Sequence, residues 1–175
     1  MTTTITIDVD FAGVTGVYGS GPYKDLWIAQ NPTFTSDSGY VDDEGNIDLP
    51  EDLDGAVDIA FTLSAGGFDI NGKAYYPHFP RVPAQSNSTF LLAPQPQGSD
   101  TQPGLNTSPP MKGKPGEYGK FNATPGDSTH ATLVVGERDG TRYKYCLVIP
   151  FEDAKQKRGG KIVIDPLLKN GRLDF

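Results

Sequence analysis

The sequence predicts an all-β protein built as an antiparallel two-sheet sandwich, with about eight or nine strands and very little helix. The main observation is a two-residue alternation over residues 141–149, where every second residue from Tyr143 to Ile149 is large and apolar or aromatic. The second observation is composition, because 21 glycines and 15 prolines in 175 residues are typical of short strands joined by turns. The length suits a single domain spanning residues 1–175.

The first half of the chain is predicted to hold two long strands, one short strand and two hairpins. Residues 3–11 and residues 57–63 each place four apolar side chains on one face. Residues 24–30 form the short strand, which ends before a proline that lacks the backbone donor. One hairpin turns at residues 42–45, and the other turns at an Asn-Gly pair at residues 71–72, the strongest two-residue hairpin signal.

The second half is predicted to contain a further hairpin and two short strands. Residues 131–135 and 141–149 are expected to pair through a turn at residues 137–140, which includes an Asp-Gly pair. Residues 89–93 and 161–164 are the short strands.

A Pro/Gly-rich segment covers about residues 94–128 and contains few large apolar residues. We expect a long loop here, packed either on its own sandwich or against a neighbouring copy.

Charge is unevenly distributed along the chain, whose net charge is −7. Residues 37–58 contain nine acidic residues and no Lys or Arg. Nucleic acid is therefore excluded as a partner, because phosphate binding needs a basic surface. The acidic segment is expected to be a solvated loop, or to attract the basic C-terminal half of another copy.

No apolar run approaches the ~20 residues that a membrane-spanning helix needs. The first residues also lack the basic and apolar regions of a secretory signal. We therefore expect a cytoplasmic protein that does not contact membranes.

The C-terminal sequence carries a resemblance to a known group. A strand at residues 143–148 leads to residues 161–171, in which Asp165 and Pro166 precede Asn170. This layout is similar to the ending of small uncharacterised bacterial immunoglobulin-like proteins, whose last strand carries an Asp-Pro pair followed by a hydrophobic residue and Asn. The resemblance covers about 50 residues and implies a β-sandwich with no known activity. Both an immunoglobulin-like and a jelly-roll-like arrangement fit the strand spacing.

Aromatic residues cluster around the second hairpin. Tyr75 and Tyr76 are consecutive and point to opposite faces of a strand, so at least one is expected to meet solvent or a partner. Aromatic rings with polar tips serve both protein interfaces and the stacking of sugar rings. The candidate residues of this aromatic surface are Trp27, Tyr75, Tyr76, His78, Phe79 and Arg81.

The acidic segment also offers candidate calcium ligands, since calcium takes six to eight oxygens. The spacing does not follow an EF-hand loop, and Asp and Gly also form ordinary turns. The candidates are Asp37, Asp42, Asp43, Glu44 and Asp48. No other cofactor is expected.

Catalytic candidates are few. Asp8 and Asp10 share a strand face about 6.5–7 Å apart, a spacing that could serve glycoside hydrolysis, but outward polar residues of a strand explain them equally well. His78, His130 and the single Cys146 do not form a usual zinc set. We expect a protein that is not an enzyme.

The sequence thus predicts a non-catalytic structural or interaction protein that acts through its surface and self-associates, or binds another protein. The expected interface combines the aromatic surface with charged rims, residues 37–58 against residues 155–169, so that salt weakens it. The alternative is a lectin-like carbohydrate-binding module that uses the same aromatic residues, with or without calcium.

Overall fold

The computed structural model describes residues 3–18, 26–79, 90–94, 120–123, 127–136, 141–155, 159–164 and 167–170. Within these ranges the chain forms strands and turns and no helix, which confirms the all-β prediction. The strands are β1 Thr3–Asp10, β2 Thr15–Tyr18, β3 Leu26–Gln30, β4 Thr33–Thr35, β5 Ile47–Leu49, β6 Val57–Leu63, β7 Phe68–Ile70, β8 Lys73–Pro77, β9 Phe90–Pro94, β10 Lys120–Ala123, β11 His130–Val135, β12 Thr141–Asp153, β13 Gly159–Ile164 and β14 Leu167–Asn170.

The first sheet has the order β10-β11-β6-β1-β4. Its central strands alternate strictly between buried and more exposed residues, as expected of a sheet with one face in the core. The register places Ile5 of β1 and Leu133 of β11 on either side of Ile59 in β6. These three side chains are buried and form one row of the core.

The second sheet is organised around β12, which is 13 residues long. The path β5-β14-β12-β8-β7 runs through it, and β9 and β13 also pair with β12. The length of β12 allows several short strands to pair along it in turn. A separate ribbon is formed by β2 and β3.

The core lies between the two sheets. One buried cluster combines Ile7 and Phe61 of the first sheet with Leu147, Ile149 and Phe151 of β12. The two inner faces therefore pack against each other, and the predicted two-sheet sandwich is confirmed.

Both hairpins predicted for the first half are present. Asn71 and Gly72 connect β7 to β8 with φ angles of 54° and 76°, the left-handed pair that a tight hairpin turn requires. At the other turn, an antiparallel bridge joins Val41 to Ile47. The N–H of Asp42 donates to the carbonyl of Asn46 across that turn at 3.0 Å.

Three expectations need correction. The hairpin between residues 131–135 and 141–149 is wrong, because β11 pairs with β10 and β6 while β12 belongs to the other sheet. The sheets are not wholly antiparallel, since β1 runs parallel to β6 and β14 runs parallel to β5. The described strands also outnumber the eight or nine expected, because many have only three to five residues. Of the segment 94–128, residues 95–119 and 124–126 lie outside the described residues.

Candidate functional site

The predicted aromatic surface is divided between the core and the outer face. Tyr75 is 2% exposed and Phe79 is fully buried, so neither belongs to a surface. Tyr75 stacks on Phe68 at 5.7 Å between ring centroids and meets Phe151 edge-on at 5.5 Å. The side chain of Trp27 and all of Arg81 lie outside the described residues.

Two parts of that prediction are found outside the core: Tyr76 on the outer face of β8, and the partly exposed His78 just after that strand. Tyr76 is 43% exposed and lies opposite Glu152 of β12 in the register. The His78 Nε2 atom lies 3.7 Å from a Glu152 carboxylate oxygen. A large ring with polar neighbours is a feature of protein interfaces. Here Tyr76, His78 and Glu152 form a small patch of this kind.

An ion pair closes the edge of the core next to this patch. The Lys73 ammonium group lies 3.1 Å from a carboxylate oxygen of Asp153 and 5.4 Å from the centre of the Tyr75 ring. Lys73 therefore covers the buried ring while its charge is paired, an arrangement that supports packing.

The acidic loop at residues 42–46 is held together by its own hydrogen bonds. One carboxylate oxygen of Asp42 accepts from the N–H groups of Glu44 at 3.1 Å and Asn46 at 2.8 Å. The other accepts from the side-chain amide of Asn46 at 2.8 Å. The Asp42 carboxylate thus fixes the turn.

The structure does not bring the predicted calcium ligands together into a binding site among the described residues. Within the described ranges, no group of three or more His, Cys, Asp or Glu side chains could hold a metal ion. The candidates Asp37, Asp42, Asp43, Glu44 and Asp48 are all exposed. Calcium binding stays a prediction.

A pocket of about 480 Å³ opens beside the acidic loop. Three separate segments line it: the connection from β3 to β4, the acidic loop, and the end of β13. The lining residues are Gln30, Asn31, Pro32, Thr33, Asp43, Glu44, Asn46 and Ile164. No local sequence pattern predicts this pocket, since none shows that residue 164 approaches residues 30–46.

A cluster of Asp127, Thr129 and His130 resembles a catalytic triad in composition only. Asp127 accepts from the N–H and the hydroxyl of Thr129, each at 2.8 Å. The His130 Nδ1 atom faces both the Asp127 carboxylate at 2.6 Å and the Thr129 hydroxyl at 3.0 Å. In a triad the acid and the nucleophile contact opposite nitrogens of the imidazole. The cluster therefore organises the start of β11.

The predicted pair Asp8 and Asp10 lies on the exposed face of β1. Asp10 accepts from the N–H of Ala12 at 3.1 Å and lies 3.5 Å from the Ser64 hydroxyl. These contacts serve the turn after β1.

The first half of β1 has an open edge. β4 pairs with β1 only at Asp8, Val9 and Asp10. Along residues 3–7, no strand in the described part of the chain pairs with β1 on the side away from β6. The Ser36 hydroxyl donates to the Thr6 carbonyl at 2.6 Å, so the even-numbered residues direct their backbone groups to this side.

One acidic and one basic position lie side by side in the second sheet. β5 and β14 are neighbours, and their register places Lys169 beside Asp48. The predicted attraction between charged rims of two copies stays a prediction.

Among the described residues, no helix is long and apolar enough to cross a membrane. No family model matches the chain, and neither a curated protein nor a solved structure gives a significant match.

Proposed function

We propose that this protein is a non-catalytic β-sandwich that acts through its surface and self-associates by pairing the β1 edges of two copies. The observation that carries the proposal is the open edge along residues 3–7. An unpaired edge presents N–H and C=O groups in a row and is a template for another strand.

The groups available for pairing follow from the strand geometry. The Thr6 carbonyl faces the open side, and alternate residues of a strand direct their N–H and C=O groups to the same side. The N–H and C=O of Thr4 and the N–H of Thr6 therefore point toward the open edge of the sheet, on the side of β1 away from β6. A second β1 strand running antiparallel would receive the same groups in return, which gives the self-complementary contact of a twofold dimer.

The composition of this edge supports the same proposal. Proteins often protect sheet edges with Lys, Pro or a bulge. Residues 3–7 are Thr-Thr-Ile-Thr-Ile, with neither charge nor proline. Threonine and isoleucine also favour strands, and residues 3–7 themselves place no charge against a second strand.

The variant Thr4→Lys tests the proposal, because Thr4 is exposed and a charge on the edge disfavours pairing. We expect the wild type to form dimers in sedimentation velocity and Thr4→Lys to shift toward the monomer. Thr132→Lys is the matched control: it adds the same charge to β11, which is an interior strand of the same sheet. It should dimerise like the wild type.

Ionic strength separates this mode from the pairing of charged rims. Backbone pairing changes little with salt, whereas contact between residues 37–58 and basic residues weakens as salt rises. A wild-type protein that stays monomeric at every concentration, or dimers that Thr4→Lys leaves intact, would contradict edge pairing.

The alternative of a carbohydrate-binding module receives less support. It needs several exposed rings for stacking, and of the predicted aromatic residues only Tyr76 presents a described, exposed ring. The likeness to immunoglobulin-like proteins adds no activity to either proposal.

A further inference from the structure

The pocket beside the acidic loop has a mixed chemical lining. Pro32 and Ile164 are buried residues that supply apolar surface to the lining. Asp43 and Glu44 supply two carboxylates, and the remaining lining residues supply side-chain amides and one hydroxyl. The lining residues that the structure describes include no Lys or Arg.

The wall that carries the two carboxylates is preorganised. The Asp43 carbonyl accepts from the N–H of Phe34 at 3.1 Å, which joins the loop to β4. The N–H of Gly45 donates to the Asp42 carbonyl at 3.1 Å. Gly45 is buried against the Phe34 ring. A fixed wall lowers the conformational entropy that a ligand must overcome on binding.

We propose that this pocket binds a small organic cation, an ammonium or guanidinium group on a short aliphatic chain. The carboxylates of Asp43 and Glu44 would bind the charged group. Pro32 and Ile164 would contact the aliphatic chain, in the way that apolar surfaces cover the stems of Lys and Arg side chains. The surrounding residues 37–58 carry nine acids without a basic residue, so the local field attracts cations. Among the described lining residues none is aromatic, so they offer no ring on which a sugar could stack.

The chemistry fits both a free amine and an arginine side chain of another protein. We would follow backbone amide signals by NMR while adding 1,4-diaminobutane, Nα-acetyl-arginine amide or neutral N-acetylglucosamine. Binding in this pocket should move the signals of Gln30, Thr33, Asn46 and Ile164. A stronger response to the diamine indicates a free amine, and a stronger response to the arginine derivative indicates a side chain.

Matched variants test the role of the carboxylates. Asp43→Asn and Glu44→Gln keep the side-chain shape and should each weaken cation binding about two- to fivefold, the range of an exposed ion pair. Glu51→Gln and Asp52→Asn remove the same charge at exposed positions of the acidic segment that do not line the pocket. At about 0.15 M salt these controls should bind like the wild type.

Three outcomes would overturn the proposal: no shift with either cation at about 10 mM, equal weakening by the control variants, or equal binding of the neutral sugar. Thermal unfolding of each variant shows that it is folded. Because Thr4 does not line the pocket, failure of cation binding is distinguishable from failure of edge pairing.

Discussion

Gly45 joins the acidic loop to the core with a backbone conformation that few residues adopt. Its φ is +88°, and an added Cβ would lie 3.0 Å from the Phe34 ring. Two separate costs thus oppose substitution, the left-handed conformation and the contact with a buried ring. Phe34 is 2% exposed and has little freedom to move.

Gly45→Ala should destabilise the fold by about 2–5 kcal/mol, from about 1–2 kcal/mol for the left-handed backbone and about 1–3 kcal/mol for overpacking. Gly55→Ala is the matched control, since Gly55 has a φ of +76° and nothing within 4 Å of the added Cβ. Gly55→Ala should lose only the stability that the left-handed backbone conformation costs, about 1–2 kcal/mol. Urea unfolding measures both variants, and equal losses would show that the Phe34 contact is not limiting.

The Asp127 carboxyl group, just before β11, should make the stability of the fold depend on pH. Its pKa is lowered from 3.8 to about 2, first by the N–H of Thr129, then by the Thr129 hydroxyl, and then by His130, while desolvation acts in the opposite direction. A carboxyl group with a lowered folded-state pKa stabilises the fold above its unfolded pKa. This contribution is lost as the pH falls from about 4 to about 2.

Asp127→Asn should therefore reduce the decline in stability over that pH range. Thr129→Val removes one donor and keeps the carboxyl group, so its decline should be intermediate. Unfolding by urea at each pH, together with carboxyl NMR titration, measures both effects. An unchanged slope in Asp127→Asn would show that this carboxyl group does not contribute.

Sequence alternation predicted that Tyr75 and Tyr76 point to opposite faces, and the structure agrees. It could not decide which ring is buried, because that depends on which face of β8 is turned toward the core between the two sheets. Phe79 follows the end of β8, where alternation no longer applies. Its N–H donates to the Ser128 carbonyl at 2.6 Å, a contact between distant parts of the chain.

At the scale of elements, local chemistry was predictable and pairing partners were not. The turn at Asn71 and Gly72 follows from residues that accept the left-handed conformation. The alternation in β11 and β12 identifies a buried face in each strand but not the sheet to which it belongs. An Asp-Gly pair between the two strands therefore suggested a hairpin where the chain passes from one sheet to the other.

The parallel pairs show the same limit. β1 pairs with β6 through residues more than 50 positions apart, and β5 with β14 through residues more than 100 positions apart. No motif marks such contacts in a single sequence. The pocket also depends on a contact between distant parts of the chain, because Ile164 of β13 lines it together with residues 30–46, and it was missed for that reason.

At the scale of the whole molecule, the sandwich depends on rows of side chains that cross strands distant in sequence. Ile59 is fully buried between Ile5 and Leu133 in the register of the first sheet. The same cluster includes Leu147 and Ile149 of the second sheet. A cavity at Ile59 would therefore weaken contacts within the first sheet and contacts between the two sheets.

Ile59→Ala should destabilise the protein by about 2–5 kcal/mol, the usual range for a large-to-small change in a core. Domains are stable by only about 5–15 kcal/mol, so this variant should be close to unfolding in mild urea. Thr62→Ala is the control on the same strand, because Thr62 is half-buried and lies on the opposite face. It should lose less than about 1 kcal/mol. Circular dichroism during urea unfolding gives both values. Similar losses in the two variants would mean that the inner face of β6 does not pack against the second sheet.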